Sequence, residues 1–245
     1  MCYNEPTLLE TKDDMPDANH PRTKLNRKSI EQAFDLVGKK AGEREIEIEI
    51  AVFGGSCLIL ASDIREASGD VDAVINERSR KTAYEIIDEV ATELGLPQRW
   101  LNEGVKRSAP PKGEPAPPLN FFGDYPRDNS GPAGLKVFLP TPEYMLAMKL
   151  LANRGGGLDE KGKTQTDNDD VLGLMRLTGI TSQDDLVGLM EGFYPNMMAM
   201  KAPPLTARLN AKIRNLVDAH RQSTDARVPT WNARRRRDDD DGRGR

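Results

Sequence analysis

Two short groups of residues, sixteen positions apart, have the types and spacing for phosphate and metal chemistry. The stretch from Val52 to Ile75 reads VFGGSCLILASDIREASGDVDAVI, with Gly54-Gly55-Ser56 near one end and Asp70-Val71-Asp72 near the other. If the second group lies on a β-strand, Asp70 and Asp72 project to one face, ~6.6 Å apart along the chain, and Val71 and Ala73 face the core. Two carboxylates so placed repel each other and lose hydration unless a cation lies between them. A hard divalent ion with oxygen ligands, Mg²⁺ or Mn²⁺, removes that cost. The glycines allow a sharp turn and close approach to a ligand. The helix that follows would offer free N–H groups and its positive dipole end to a phosphate, with Ser56 as cap and hydroxyl donor. A phosphate cradle and a metal-binding acidic pair on adjacent strands describe a triphosphate site.

The surrounding pattern supplies elements to hold these groups. NRKSIEQAFDLVGKKAG, from Asn26, sets Ile30, Ala33, Phe34 and Val37 at helical spacing and ends at Gly42. REIEIEIAVF alternates and then turns apolar, which predicts a strand with Ile46, Ile48 and Ile50 inward. ERSRKTAYEIIDEVATELGL reads as an amphipathic helix closed by Gly95. The Pro-rich stretch that follows reads as loop, with a short helix around Trp100 to Val105, and LKVFLP as a third strand. Thr141-Pro142 opens a helix through PEYMLAMKLLANR. GGGLDEKGKTQ reads as a connector. Helical patterns cover roughly 167–178, 182–191 and 204–221. The pattern predicts an α/β or α+β core followed by a helical bundle. Residues 1–24 form a disordered leader, 25–140 the core, 141–222 the helical domain and 223–245 a disordered Arg/Asp tail.

Composition narrows the function classes. The chain has 245 residues and a formal charge of −4, and its last twelve residues alone carry six Arg and four Asp. The remaining body is more acidic still, which argues against a broad DNA-coating surface. Cys2 and Cys57 suggest neither a disulfide framework nor a zinc site, so the expected setting is a reducing cytoplasm. No apolar run approaches the ~18–20 residues of a membrane span. Basic residues near the long helix, Arg78, Arg80, Lys81, Arg99, Lys106 and Arg107, could hold an RNA acceptor or simply form a solvated face. Trp100 reads as an anchor of its loop to the core.

The order strand, GGS, helix, loop, DVDA strand resembles the signature of the polymerase-β-like nucleotidyltransferase superfamily. REASGDVD is similar to the Arg-x-x-Ser/Thr-x-Asp-x-Asp of bacterial toxin-type members related to the abortive-infection AbiE effector. PEYMLAMKLLANR resembles the family's Lys-bearing helix and TDNDDVLGLM its later Asp-x-x-Asp element. The resemblance implies an α+β fold, a small mixed sheet flanked by helices with a helical bundle behind it. It implies metal ligation by Asp70 and Asp72, and triphosphate contact by the Gly54-Gly55-Ser56 bend. Lys149 would meet phosphates with help from Arg154. Asp170, alone or with Asp167, would orient Lys149 or assist the acceptor, and Arg65 would brace the loop before the acidic strand.

The activity implied is Mg²⁺- or Mn²⁺-dependent transfer of a nucleoside monophosphate from an NTP to a hydroxyl of RNA (tRNA among them) or of protein. The setting implied is the toxin of a toxin–antitoxin or phage-defence system, with a cognate antitoxin as partner. Many superfamily members carry a third carboxylate on a later strand, and LKVFLP has none. Asp124 and Asp128 lie in the loop before it and could reach in; otherwise the base comes from elsewhere, with Asp170 as the candidate, or activity is weak or lost. A non-catalytic module of the same fold, binding a nucleotide or a partner protein, is the alternative.

Overall fold

The computed structural model describes residues 24–107, 109–128, 131–152, 161–199, 203–223 and 227–232. The chain begins with β1 (Leu25–Asn26) and α1 (Arg27–Glu43). Asn26 caps α1 by accepting from Ser29 N, and the Ser29 hydroxyl oxygen accepts in return from Asn26 N, a reciprocal pair that satisfies two otherwise orphan donors. Then come β2 (Ile48–Phe53), α2 (Gly54–Ala61), β3 (Ala67–Ser68), β4 (Val71–Ile75) and α3 (Arg80–Leu94). Gly95 closes α3 in the left-handed conformation, φ 62°. β5 (Leu101–Asn102) leads into a 3₁₀ turn at Gly104–Arg107, followed by β6 (Leu119–Tyr125) and β7 (Leu135–Pro140). The second half is helical: α4 (Pro142–Ala152), α5 (Lys161–Thr178), α6 (Gln183–Phe193), α7 (Pro195–Ala199) and α8 (Pro203–Gln222).

The fold is α+β. Five strands form one mixed sheet in the order β5-β4-β2-β7-β6, and β1 pairs with β3 beside it. β2 lies at the centre because it is apolar on both faces: five of its six residues are buried. It runs antiparallel to β4 and parallel to β7. Two registers set the site. Phe53, the last residue of β2, faces Asp72, and Asp72 faces Asn102 on β5. The glycine bend, the acidic strand and the start of the 3₁₀ turn therefore meet at one end of the sheet.

α1 packs against α3, β6 and β7, and α4 against α5, α6 and α8. One continuous apolar cluster runs from Phe34 and Trp100 through Phe53 and Tyr144 to Leu186 and Ile213. Trp100 is fully buried, as its reading as an anchor requires, and its indole N–H donates to Ile87 O at 3.2 Å.

Several local expectations give way to tertiary pairing. The stretch read as loop contains β5 and β6, whose polar, Gly- and Pro-interrupted sequence hides them from a periodicity argument, and the short helix lies after Trp100, at Gly104–Arg107. α5 begins at Lys161, inside the stretch read as connector. Ile46 lies ahead of β2 and is only partly buried. Ser56 does not cap α2. The helix starts two residues earlier, with Phe53 at the cap position, because Gly54 at φ +64° can make the turn without a leading polar residue. Residues 227–232, expected in a solvated tail, lie along the end of α2: Asn232 N donates to Ala61 O at 2.6 Å, and Trp231 bridges to Ser62. Arg154, the leader to residue 23 and the Arg/Asp run lie outside the described residues. Among the described residues, no helix is long and apolar enough to cross a membrane.

Candidate functional site

The acidic side is built from β4 and its neighbours. Asp72 is the second residue of β4 and Asp70 the residue just before the strand, so Asp70 departs from the strand position read from the sequence. Both side chains stay next to the β5 corner. The Asn102 amide nitrogen donates to Asp70 Oδ2 at 3.0 Å. A Cβ placed on Gly104 would lie 2.8 Å from Asn102 Oδ1 and 3.6 Å from Asp72 Oδ1. Asp72 Oδ2 reaches the glycine bend on its other side, where a Cβ on Gly54 would lie 2.8 Å from it. Ser56 is 99% removed from solvent, and its hydroxyl donates to Asp70 O at 2.5 Å. Ser56 therefore ties α2 to the backbone that carries Asp70.

The basic side begins one residue along. A Cβ on Gly55 would lie 2.7 Å from an Arg65 guanidinium nitrogen, so the guanidinium covers the backbone of the bend. Arg65 Nε donates to Ala67 O at 2.9 Å and its Nη1 to Asp170 Oδ2 at 3.0 Å. The same Oδ2 accepts from Lys149 Nζ at 2.8 Å, and Lys149 Nζ also reaches Asp167 Oδ1 at 2.9 Å. Lys149 and Asp170 are buried, at 7% and 2% exposure. A lysine on an apolar helix usually extends to water. Here α5 brings two carboxylates to it instead, and charge-assisted bonds offset its lost hydration. The Arg65 loop is held from behind: Thr230 N donates to Asp63 Oδ1 at 3.0 Å, and Arg227 pairs with Asp63.

Two residues of this neighbourhood carry no motif signal. Asn102 sits in a two-residue strand, and only pairing with β4 brings it to Asp70. Lys212, on α8, has a buried ammonium with no hydrogen-bond partner among the described residues. Burial pushes its pKa down to about 8, Asp167 holds it up and the Lys149 charge lowers it further. α8 packs on α5, and that contact is not written in local sequence. Cys57 lies beneath the bend, and burial raises its thiol pKa despite the opposing charge of Lys149.

The acids expected to reach in from ahead of LKVFLP do not. Asp124 is in β6 opposite Lys136, which faces Glu49 near the start of β2. That is the far end of the strand from Gly54, ~15 Å at the usual rise. Asp128 follows β6 on that same far end. Among the described residues, no group of three or more His, Cys, Asp or Glu is placed to hold a metal. The two-carboxylate donor set at Asp70 and Asp72 still fits a hard ion that keeps several waters, as Mg²⁺ does.

No protein-family model matches the chain, and no curated protein does. Among solved structures, the chain is similar to the crystal structure of an antigenic nucleotidyltransferase-like protein from Paracoccidioides brasiliensis. The identity is 17% and the TM-score 0.39, over 77% of this chain and 95% of that one.

Proposed function

We propose that the chain is a divalent-metal-dependent nucleotidyltransferase, moving an NMP from an NTP to a hydroxyl of an RNA acceptor. One observation carries the reading. Two adjacent glycines at one bend touch an acid on one side and a cation on the other, Asp72 at Gly54 and Arg65 at Gly55. A magnesium-bound triphosphate needs that division of charge, with carboxylates for the ion and cations for the phosphates.

Asp70 and Asp72 would hold Mg²⁺ or Mn²⁺, which supplies positive charge against the phosphates and lowers the pKa of a bound hydroxyl. The Gly54-Gly55 bend would seat the triphosphate, with Arg65 against its charge. Lys149 serves the same anion from beneath. Asp170 is assigned to positioning, because one of its oxygens is shared by two cations. In the transfer, the acceptor oxygen bonds to the α-phosphorus and the bond to the bridging oxygen breaks. Pyrophosphate leaves with that electron pair, and the hydroxyl proton passes to solvent. A tRNA acceptor, and the setting of a toxin with its antitoxin, rest on the toxin-type resemblance of REASGDVD.

The test is incubation with labelled NTPs, Mg²⁺ and total RNA. Label should enter RNA with the unaltered chain and fall by roughly 10²–10³-fold or more when Asp70 and Asp72 become Asn. Transfer that persists in that variant refutes the assignment. The lack of a carboxylate on β7 favours one other reading, a nucleotide-binding module without turnover. Calorimetry would then record Mg·NTP binding with no label in any acceptor.

A further inference from the structure

We infer that Asn102 is a positioning residue of the acidic pair, orienting Asp70 toward the ion that Asp72 shares. The inference rests on the metal-binding reading above, and extends it to a residue that neither motif contains. Asn102 stands directly across from Asp72 in the β4–β5 register. Its side chain turns to Asp70 and donates to Oδ2 at 3.0 Å. The direction of the amide is fixed. Gly104 N–H can only donate, and it meets Asn102 Oδ1 at 2.8 Å, so the NH₂ group must face Asp70. Asp70 is thus held through one carboxylate oxygen, which leaves Oδ1 for a metal.

The corner that carries Asn102 is itself anchored. Glu103 accepts from Ile75 N at 3.1 Å and from the Tyr84 hydroxyl at 2.9 Å, and pairs with Arg80 at 3.2 Å. Asn102 and Gly104, on either side of Glu103, therefore have fixed positions before any ligand arrives. A Cβ on Gly104 would lie 2.8 Å from Asn102 Oδ1, so a side chain there would displace the amide from its place beside Asp70. A neutral donor suits the task. An Arg or Lys at this position would neutralise Asp70 and compete with the ion, whereas an amide orients the carboxylate and leaves its charge available.

Mn²⁺ affinity of the full chain, measured by electron paramagnetic resonance of the free ion, tests this without reference to activity. The unaltered chain should bind Mn²⁺ and Asp72→Ala should lose it. Asn102→Ala should weaken binding about 10-fold or more, with a metal-free Tm within a few degrees of the original. Asn102→Asp keeps the shape and the Gly104 bond but sets a third charge beside Asp70. Its metal-free Tm should fall, and Mn²⁺ should raise that Tm by more than it raises the original's. An Asn102→Ala chain that binds Mn²⁺ within twofold of the original overturns the inference and leaves the transferase reading standing. If Asn102→Ala gives no cooperative melt, an Asn102→Asp chain with the original's Mn²⁺-induced rise overturns it instead. An unaltered chain with no Mn²⁺ binding that Asp72→Ala removes overturns both.

Discussion

Asp70 and Asp170 lie on opposite sides of one glycine bend and are solvated in opposite ways. Asp170 is buried, and one of its oxygens accepts from Arg65 and from Lys149. Asp70 is half-buried and accepts from a neutral amide. A carboxylate shared by two cations contributes to folding and has little charge left for a ligand. A carboxylate oriented by an amide keeps its charge. On the proposed reading the difference separates a framework side from a ligand side, and stability and metal binding should respond to different residues.

The largest effect should come from the framework side. Asp170→Ala removes the carboxylate that Arg65 and buried Lys149 share, leaving Lys149 with Asp167, and should cost about 3 kcal/mol in urea unfolding, the low end for breaking a buried pair. Asp70→Asn should change stability by less than about 1 kcal/mol, yet remove metal-dependent transfer. If Asp170→Ala proves neutral, or Asp70→Asn proves as costly, the two sides are not distinct. The glycines join the sides and come next. Gly55→Ala drives a methyl to within 2.7 Å of the Arg65 guanidinium, and should cost about 1–3 kcal/mol and loosen the Arg65–Asp170 pair. Gly54→Ala adds an unfavourable positive φ, about 1 kcal/mol or more, and its methyl would press on Asp72 rather than Arg65. Paired melts and Mn²⁺ titrations should therefore show Gly54→Ala weakening the metal and Gly55→Ala sparing it.

The two sides were not equally legible in the sequence. The acidic side is dense in local signal: Gly54, Gly55, Asp70 and Asp72 fall within one strand–helix–strand unit, and the structure brings Asp72 against Gly54. Lys149 and Asp170 are separated by two helices' worth of chain, and each alone is an ordinary helix residue. Only the resemblance to a known order of motifs linked them. Ser56 was misread because a serine after glycines suggests a cap, and the glycine's own φ removed the need for one. β6 and Asn102 were missed for one reason. Short edge and near-edge strands take their structure from the neighbour they pair with, and their own residues carry little alternation. Asp124 precedes β7 closely enough in sequence to reach in, but the antiparallel pairing of β6 with β7 carries it to the far end of the sheet.

Lys212 gives a small effect of opposite sign and the sharpest test of the framework side. Its ammonium is buried with no hydrogen-bond partner among the described residues, and that burial lowers the pKa to about 8 against 10.5 for an ordinary lysine, with Asp167 pulling it up and Lys149 pushing it down. Below pH 8 it is charged whether the chain is folded or not, so the full cost of burying that charge falls on the folded state. Between pH 8 and 10.5 the unfolded chain holds a proton that the folded chain has released, so this group makes stability rise with pH across that window. Lys212→Met should therefore stabilise the chain by about 1–2 kcal/mol at pH 7, and the gain should shrink toward pH 10. Urea melts of both chains at the two pH values measure it as a difference, in which titrating groups that do not interact with Lys212 cancel. The same variant tests whether α8 contributes charge to the site: if α8 does, the variant should bind inorganic triphosphate more weakly. If it melts higher and binds triphosphate equally well, α8 only packs against the basic side and takes no part in the site.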